Sequence, residues 1–547
     1  MTAVFTAAEV TSEQRGQAHQ NTDADVVIVG YGPVGQLLAL KLARAGRRVA
    51  VVEKWQGSYP RPRAVHLDDE VGRILQSVGI RPDESPVLDP YDDWYACRND
   101  AGETILLIDW TGVGPSWWHT SNFFHQPDLE AELHRLVEAE PLITLHSGWT
   151  VTTVDQSPDG VSVTAEPTQT TSNDVARVLT VNASFAVGCD GANSVVRSSI
   201  ETEMEDLGFR FDWLIVDVIP SEPLVFTPPV QQLCTPAGPT TLVPGGPGRR
   251  RWEFMRMPGE TVESLNTPES AWSKLKPWNL NPQNAVLERH TVYTFQAKWA
   301  RAWRNGRVLI AGDAAHLMPP FAGQGMCSGL RDAMNLAWKL DGILSGRLPD
   351  SLLDTYGPER IQHVRRWVET SVEIGRTICV TDWEQAAARD AAMKAAIEDP
   401  SLAPPPPPPA TLGPGLLRPL DPAAGHLAIQ SMTRTGNGNA VLFDDQFGSG
   451  WFVLTDDPQI RQALSETTTR WLEDSSIRVL TFGASEDFDD VRGAYADWLK
   501  ALDKHVVIIR PDFYVYGACD RDELEQTLSE LHARLTPLEA PTARQPS

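Results

Sequence analysis

Apolar and polar positions follow one another along residues 25–53 in the order strand, helix, strand. Asp25 to Val29 is an apolar run rich in β-branched residues, which predicts a strand buried on both faces. The amphipathic pattern behind it predicts a helix to about Ala45, and Gly46 can end that helix. A second apolar run, Arg48 to Val52, predicts the next strand. The pattern therefore predicts a βαβ unit at the start of an α/β domain.

Two more stretches predict strands, the second of them clearly buried, and each leads into a glycine beside an acid. Val178 to Val187 leads into Gly188-Cys-Asp-Gly191, and Arg307 to Ala311 leads into Gly312-Asp313 and then a long helix to about Leu344. Between them, short alternating runs separated by Pro/Gly loops predict a mostly antiparallel sheet. A sheet of this kind can cover one side of a cofactor and shape a substrate pocket.

Composition shifts near residue 400 predict a linker and a further domain. Pro404 to Pro409 is a run of six prolines, which favours an extended spacer. Alternating strand and helix patterns after it predict a small α/β domain. The predicted organisation is a flexible arm (1–24), a cofactor domain with interspersed substrate-side strands (25–200), an antiparallel substrate domain (201–300), the rest of the cofactor domain (301–398), a linker (399–424), an α/β domain (425–535) and a disordered tail (536–547).

Charge and composition exclude several classes of function. The net charge of −25, without any basic run, argues against nucleic-acid binding. We expect no membrane span, because no stretch of about 18 apolar residues occurs. The polar start does not predict a signal peptide. Six scattered cysteines without a C-x-x-C pair predict reduced thiols, no metal site and a cytoplasmic protein.

The glycines after the first strand have the spacing of a dinucleotide-binding turn. Gly30 permits the tight turn, Gly32 leaves room for a pyrophosphate, and Gly35 lets the helix pack close to the strand. Pro33 falls in the first helical turn, where its missing N–H costs nothing. Glu53, at the end of the second strand, stands where such folds place a ribose-binding carboxylate.

Together the three stretches Gly30-x-Gly32-x-x-Gly35, Cys189-Asp-Gly191 and Gly312-Asp313 resemble the group A FAD-dependent aromatic hydroxylases. The segment from Arg63 to Glu70 and the Pro-rich link resemble the 3-(3-hydroxyphenyl)propionate hydroxylase and phenol hydroxylase-like branch. The resemblance implies a Rossmann-like, glutathione reductase-like FAD-binding domain, an inserted antiparallel-sheet substrate domain and a C-terminal thioredoxin-like α/β domain. Because that last domain lacks C-x-x-C, packing or dimer formation is favoured over disulfide exchange.

The resemblance also implies the cofactor contacts. The FAD-binding residues it indicates are Gly30, Gly32, Pro33, Val34, Gly35, Glu53, Lys54, Arg63, Gln126, Asp190, Gly191, Gly312, Asp313, Pro320, Gly323, Gln324, Gly325 and Met326. Pro320 matches a proline whose carbonyl lies near the reacting centre, and His66 is a weaker catalytic candidate. His316 is interpreted as a structural hydrogen-bonder. Candidate substrate contacts are Arg210, Trp213 and Arg251.

The implied activity is hydroxylation of a phenolic substrate with NAD(P)H and O₂ through a flavin C4a-hydroperoxide. NADH or NADPH would bind transiently, because the chain has no second G-x-G-x-x-G unit. A homodimer is among the expected assemblies. The alternatives are a polyketide-tailoring or other FAD-dependent oxidoreductase of the same fold, and a flavin-binding protein without catalysis. A phenylpropanoid acid, a simple phenol and a polycyclic polyketide all stay open as substrates.

Overall fold

The structure is a computed structural model that describes residues 22–56, 63–169, 177–403, 409–483 and 486–536. Most of the predicted arm (residues 1–21), most of the six-proline run (404–408) and the predicted tail from residue 537 lie outside the described residues. Within the described ranges, no helix is both long enough and apolar enough to cross a lipid bilayer.

Strands dominate the first half of the chain and recur at its end. They are β1 (Ala24–Val29), β2 (Val49–Glu53), β3 (His66–Leu67), β4 (Leu88–Tyr91), β5 (Trp94–Arg98), β6 (Thr104–Asp109), β7 (Ser121–Phe124), β8 (Ile143–Ser147), β9 (Trp149–Ser157), β10 (Gly160–Pro167), β11 (Leu179–Gly188), β12 (Met204–Pro220), β13 (Val230–Leu233), β14 (Thr240–Pro244), β15 (Arg250–Met255), β16 (Ala285–Ala300), β17 (Arg304–Asn305), β18 (Val308–Ile310), β19 (His316–Leu317), β20 (Met432–Arg434), β21 (Val441–Leu442), β22 (Phe452–Thr455), β23 (Arg478–Thr481), β24 (Asp489–Asp490), β25 (Val506–Ile509) and β26 (Val515–Cys519).

Helices cover the parallel sheet and connect the domains. They are α1 (Pro33–Arg44), α2 (Asp69–Gln76), α3 (Gln126–Glu138), α4 (Val195–Ser199), α5 (Val262–Leu265), α6 (Pro268–Leu275), α7 (Gly325–Leu344), α8 (Tyr356–Ile378), α9 (Trp383–Glu398), α10 (Phe443–Phe447), α11 (Glu466–Asp474), α12 (Ala494–Leu502) and α13 (Leu524–Leu535). The sequence pattern places the ends of α1 and α7 within a residue or two.

The first sheet is the parallel core that the apolar runs predict. Its strands follow the order β17–β18–β11–β1–β2–β8, and β1 pairs in parallel with both β11 and β2. The antiparallel pair β9 and β10 extends it beside β11. Helix α7 approaches the turn after β18 closely, since a Cβ on Gly329 would lie 2.7 Å from Val34 Cγ2 and 3.1 Å from Gly312 Cα.

The second sheet is mostly antiparallel and has two differently buried faces. Its order is β19–β16–β12–β15–β14–β13–β5–β6, so two strands from early in the chain complete it. On one face Leu214, Val216, Trp252 and Phe254 pack in a cluster with apolar residues of α6. The other face looks toward the carboxyl ends of the parallel strands, and it therefore forms one wall of the cleft described below.

The C-terminal domain has a four-stranded sheet in the order β23–β22–β25–β26. Strands β22 and β23 are parallel, whereas β25 is antiparallel to both β22 and β26. The βαβ unit β22–α11–β23 and the ββα unit β25–β26–α13 form a thioredoxin-like arrangement. The predicted fold class is therefore confirmed.

Buried ion pairs attach this domain to the cofactor domain. Arg510 Nη2 lies 2.8 Å from Glu359 Oε2 and 2.7 Å from Asp512 Oδ2, and Lys339 Nζ lies 2.8 Å from Glu359 Oε2. Arg73 pairs with Asp444 across the same boundary at 2.6 Å. Because burying unpaired charges is costly, these pairs make the two domains depend on each other for stability.

Candidate functional site

The two sheets enclose a cleft at the carboxyl ends of β1, β11 and β18. It contains about 1430 Å³ of space that no protein atom fills. Open α/β sheets bind ligands at this edge. Sixteen of the residues lining the cleft matter most here: Gly32, Pro33, Val34, Arg63, His66, Tyr95, Trp110, Phe123, Gln126, Gly191, Glu253, Asp313, Pro320, Phe321, Gly325 and Met326.

The glycine turn after β1 combines close packing with open space. Gly30 has φ of +104°, and a Cβ there would lie 2.3 Å from the Cys189 carbonyl oxygen. A Cβ on Gly35 would lie 2.2 Å from the Gly30 carbonyl oxygen. Gly32 borders the cleft, and a Cβ there would meet nothing within 4 Å. The outer glycines therefore allow the turn, while Gly32 leaves the space that a ligand would occupy.

Two helix N-termini open onto this space. Neither α1, with Gly32 at its N-cap, nor α7, with Gln324 there, has a side chain capping its first turn. Their first-turn N–H groups and the positive ends of their dipoles favour an anion or an electron-rich carbonyl. This geometry suits a pyrophosphate at α1 and a polar ring edge at α7.

The predicted ribose-binding acid lies at the end of β2, where its backbone neighbours hold it. Glu53 is buried, and its carboxylate accepts hydrogen bonds from the Tyr31 N–H at 2.7 Å and the Trp55 N–H at 2.9 Å. These two bonds fix the orientation of the carboxylate and leave further lone pairs for a hydroxyl ligand. Lys54 is exposed and does not line the cleft.

A buried aspartate anchors the Gly312-Asp313 turn. Asp332 Oδ2 accepts a hydrogen bond from the Gly312 N–H at 3.0 Å and lies 2.8 Å from His316 Nε2, while Arg360 Nε donates to Oδ1 at 2.8 Å. Burial alone would raise the pKa of Asp332, but Arg360 and His316 outweigh burial and lower it. Asp313 itself borders the cleft, and its carboxylate has no hydrogen bond among the described residues.

Asp190 stabilises the protein backbone near the cleft. Its carboxylate accepts hydrogen bonds from Ser194 Oγ at 2.5 Å and from the Val195 N–H at 2.7 Å, so it holds the start of the short helix α4. Burial raises its pKa, against the effect of these hydrogen bonds. Its neighbours Cys189 and Gly191 line the cleft instead.

The turn before α7 forms the far wall of the cleft. Pro320–Ala322 is a single 3₁₀ turn, and Gly323 follows with φ of +65°, where a Cβ would lie 2.5 Å from His66 Nδ1. The Gln324 side chain points away from the cleft, since its Nε2 donates to Asp68 Oδ2 at 2.9 Å and its Oε1 accepts from Arg331. Backbone and Gly325 therefore present this wall to a ligand.

His66 lies against this wall with both ring nitrogens covered. The ring stacks on Trp110 at 5.2 Å between centroids, and neither nitrogen makes a hydrogen bond of sound geometry. Burial lowers the pKa of His66 and therefore favours the neutral ring. In this position the ring shapes the cleft, while its catalytic role stays a prediction.

Arg63 and Gln126 both border the cleft, and their contact with FAD stays a prediction. Gln126 Oε1 accepts a hydrogen bond from the Ala64 N–H at 2.8 Å, and its Nε2 donates to Glu130 Oε1 at 2.6 Å. The side chain thus fixes the segment that carries Arg63.

The three candidate substrate contacts do not line the cleft. Arg210 is exposed and pairs with Asp206 at 3.2 Å. Trp213 is fully buried behind Phe321, with the two ring centroids 5.5 Å apart. Arg251 is buried, and Asp217 accepts hydrogen bonds from its Nε at 2.6 Å and its Nη2 at 3.1 Å. Each of these three side chains therefore packs against or pairs with other protein residues.

Other residues form the substrate side of the cleft, and the sequence pattern did not single out most of them. Tyr95, Trp110, Phe123 and Phe321 provide aromatic walls, and Glu253 brings a carboxyl group. The strand that carries this acid, Arg250–Met255, also contains Arg250 and Arg251, and all six of its residues are buried.

The described residues fit FAD. The open face of Gly32, two uncapped helix N-termini and the unpaired Asp313 carboxylate together suit a pyrophosphate, a ring edge and sugar or ribityl hydroxyls. The cleft-lining residues that would hold it are Gly32, Val34, Arg63, Gln126, Gly191, Asp313, Gly325 and Met326.

Comparisons with known proteins agree with this fit. The FAD binding domain family matches residues 23–371, and the HcaD C-terminal domain family matches residues 425–534. The chain is 37% identical over 529 residues to a probable NADH-specific resorcinol 4-hydroxylase of Rhodococcus jostii (strain RHA1), covering 95% of this chain and 97% of that protein.

Two further relatives cover nearly the whole chain. A 3-(3-hydroxy-phenyl)propionate/3-hydroxycinnamic acid hydroxylase of Mycobacterium sp. (strain JLS) is 33% identical over 524 residues, with 91% of this chain and 90% of that protein covered. The crystal structure of the flavin-dependent monooxygenase PieE with FAD and substrate superposes with a TM-score of 0.75 at 21% identity, covering 93% of this chain and 98% of that one.

The fold and site together define a flavin-dependent monooxygenase of the aromatic hydroxylase class. The chain belongs to the FAD-binding domain family that includes the phenolic hydroxylases. Its cofactor is FAD, and NAD(P)H is its co-substrate. When bound, FAD supplies hydride acceptance from NAD(P)H and the activation of O₂. The protein positions the ring and the substrate and excludes water.

Proposed function

We propose that this enzyme hydroxylates a small neutral dihydric phenol, with resorcinol as the model substrate and NADH as the reductant. The reaction consumes resorcinol, O₂, NADH and a proton, and yields benzene-1,2,4-triol, NAD⁺ and water. Support comes from the relative at 37% identity, which is named as an NADH-specific resorcinol 4-hydroxylase and is matched over nearly its full length.

The proposal that the substrate is neutral rests on the charge of the side chains on the substrate side of the cleft. Glu253 is the acid that lines it, and among the described residues no lysine or arginine apart from Arg63 borders the cleft. We assign the Arg63 side chain to the cofactor, because the neighbouring Ala64 N–H donates to Gln126 Oε1. A substrate carboxylate, such as that of 3-(3-hydroxyphenyl)propionate, would therefore meet an acid where it needs a cation. A neutral phenol avoids that repulsion.

The test compares substrates and reductants on the purified FAD-loaded enzyme. We expect NADH oxidation to rise sharply with resorcinol, to stay near its basal rate with 3-(3-hydroxyphenyl)propionate, and to be slower with NADPH. Labelled O₂ should place one labelled oxygen atom in the triol. A preference for the carboxylated phenol, or NADH oxidation that yields only hydrogen peroxide, would contradict the proposal.

A cytoplasmic location also belongs to this proposal. It is supported by the use of NADH and by six cysteines that are all free, as reduced thiols would be. A homodimer stays a prediction, and sedimentation of the holoenzyme would test it.

A further inference from the structure

Glu253 is an acid in a mostly apolar wall. It lies on β15, directly opposite Thr241 of β14 on one side and Ile215 of β12 on the other. Thr241 in turn pairs with Gln232 of β13. Residues paired directly across antiparallel strands share a face. Gln232, Thr241 and Glu253 therefore form one polar row, and all three border the cleft.

Two members of this row already satisfy each other. Thr241 Oγ1 donates to Gln232 Oε1 at 2.6 Å, and Gln232 Nε2 donates to the Thr240 carbonyl at 3.1 Å. Glu253 differs, because neither of its carboxyl oxygens has a hydrogen bond among the described residues. Its side chain is nonetheless buried, with 7% of the residue exposed. Buried carboxyl groups without partners are rare, since desolvation is costly.

The neighbouring charges do not satisfy this carboxyl group. The nearest cation is Arg251, with Nη1 3.8 Å from Glu253 Oε1, but its Nε and Nη2 are committed to Asp217 and its Nη1 donates to the Arg63 carbonyl oxygen at 2.5 Å. Arg289 of β16 lies 3.9 Å from Asp217 and donates to the Tyr293 hydroxyl. When Glu253 is ionised, its charge and that of Asp217 balance the charges of Arg251 and Arg289. The protein therefore tolerates the ionised form of Glu253.

The surroundings also suit an aromatic hydroxyl. Tyr95 of β5, Trp110, Phe123 and Phe321 border the same cleft as Glu253, so the cleft offers a phenol both aromatic walls and a carboxyl group. The Tyr95 hydroxyl has no hydrogen bond among the described residues, and burial raises its pKa, so it stays neutral and can donate. Burial also raises the pKa of Glu253, against the effect of Arg251, which makes its carboxylate a stronger base.

We propose that Glu253 binds the phenolic hydroxyl of the substrate and accepts its proton. The phenol O–H bond breaks, the proton bonds to a carboxylate oxygen of Glu253, and the electron pair stays on the phenolate oxygen. That charge makes the ring carbons ortho and para to it more nucleophilic, as hydroxylation requires. The inference deepens the proposed function and rests on a phenolic substrate, though not on resorcinol in particular.

The first experiment follows ionisation of a bound phenol and does not depend on turnover. p-Nitrophenol is titrated into the holoenzyme without NADH, at a pH below the pKa of the free phenol, and the phenolate absorption band is followed by difference spectroscopy. We expect the band with the wild type and its loss in Glu253→Gln. A wild type without the band, or a Glu253→Gln variant that keeps it, would overturn the proposal.

The second experiment measures the pH profile of kcat/KM with the phenol that stimulates NADH oxidation most. General-base assistance contributes about 10²- to 10⁴-fold, so we expect Glu253→Gln to lose that factor and its acidic limb. Glu253→Asp should restore part of both. Glu260→Gln is the matched control, because Glu260 pairs with Lys274 outside the cleft and should change neither.

The two proposals fail in different ways. If another phenol stimulates NADH oxidation and resorcinol does not, the substrate proposal is contradicted. The role of Glu253 is then tested with that other phenol. An unchanged kcat/KM and pH profile in Glu253→Gln, with full FAD content and resorcinol turnover, contradicts the role of Glu253 alone. Far-ultraviolet circular dichroism and FAD content of each variant separate these results from misfolding.

Discussion

Gly30 and Gly32 lie two residues apart and have different structural roles. A Cβ on Gly30 collides with the Cys189 carbonyl, while a Cβ on Gly32 enters the space left for the cofactor. We therefore predict that Gly32→Ala keeps the stability of the apoprotein and weakens FAD binding by at least tenfold. Gly30→Ala should lower both, because its φ of +104° is strained for any residue with a side chain.

Two measurements separate these outcomes. Thermal unfolding of the FAD-free proteins reports stability, and quenching of FAD fluorescence on titration reports affinity. Equal FAD affinity in Gly32→Ala and the wild type would show that the pyrophosphate does not lie over Gly32.

Arg251 and Arg210 give a second contrast at the scale of single residues. Arg251→Met leaves Asp217 buried without its partner, so we predict a loss of about 3–5 kcal/mol in the free energy of unfolding. Arg210→Ala removes only an exposed pair and should change stability by less than about 0.5 kcal/mol. Urea unfolding of the holoenzymes checks both. A drop in kcat/KM for Arg210→Ala would restore it as a substrate contact.

The sequence revealed cofactor-side residues better than substrate-side ones, and the reason is physical. Glycine spacing is local, so Gly30, Gly32 and Gly35 could be read directly from the chain. Glu253 borders the cleft in a sheet that also joins β13 to β5, which lies more than 130 residues earlier in the chain. Arg251 and Trp213 were chosen for their chemistry, but whether a side chain reaches the cleft depends on the sheet face it occupies.

At the scale of elements, α7 connects the cofactor turn to the core through Asp332. We predict that Asp332→Asn destabilises the protein by about 3–5 kcal/mol, because it leaves Arg360 buried without a carboxylate and weakens the hold on the Gly312 N–H. Asp341→Asn is the matched control on the same helix. Its partners Arg47 and Arg347 are partly exposed, so we expect less than about 1 kcal/mol.

The same variant gives a pH dependence with a defined sign. The pKa of Asp332 in the folded protein is lower than its ordinary value of 3.8, so its stabilisation is present above that value and is lost as the pH falls below it. The difference in melting temperature between wild type and Asp332→Asn should therefore be full at neutral pH and shrink at pH values below about 4. A difference that grows on acidification would contradict the assignment.

Elements that carry their own periodicity were predicted well. Strands β1, β2 and β18 are mainly apolar runs, β11 ends in one, and α1 and α7 follow glycine-rich turns, so local sequence was enough to place them. Sheet order could not be predicted locally. The β5–β13 pairing is parallel and joins Tyr95 to Val230, and only tertiary packing determines it.

At the scale of the whole molecule, the C-terminal domain contributes to the stability of the cofactor domain. Arg510 joins Glu359 of α8 to Asp512, and the Tyr514 hydroxyl donates to Glu70 Oε1 at 2.8 Å. Glu70 in turn pairs with Arg331 of α7, close to the N-terminus that borders the cleft. The sequence predicted this domain but not its contacts with the cofactor domain, since Glu359 and Arg510 lie 151 residues apart and Glu70 and Tyr514 lie 444 residues apart.

This coupling predicts one cooperative unfolding transition for both domains. Arg510→Met leaves Asp512 buried without its cation and leaves Glu359 paired with Lys339, so we expect a loss of about 3–5 kcal/mol that appears in both domains at once. Lys504→Met breaks a surface pair with Asp520 in the same domain and should cost less than about 1 kcal/mol. Calorimetry of the holoenzyme, with release of FAD fluorescence recorded in parallel, checks the prediction. If Arg510→Met instead splits the transition and FAD release keeps its wild-type temperature, the C-terminal domain folds independently and the buried ion pairs serve only to dock it.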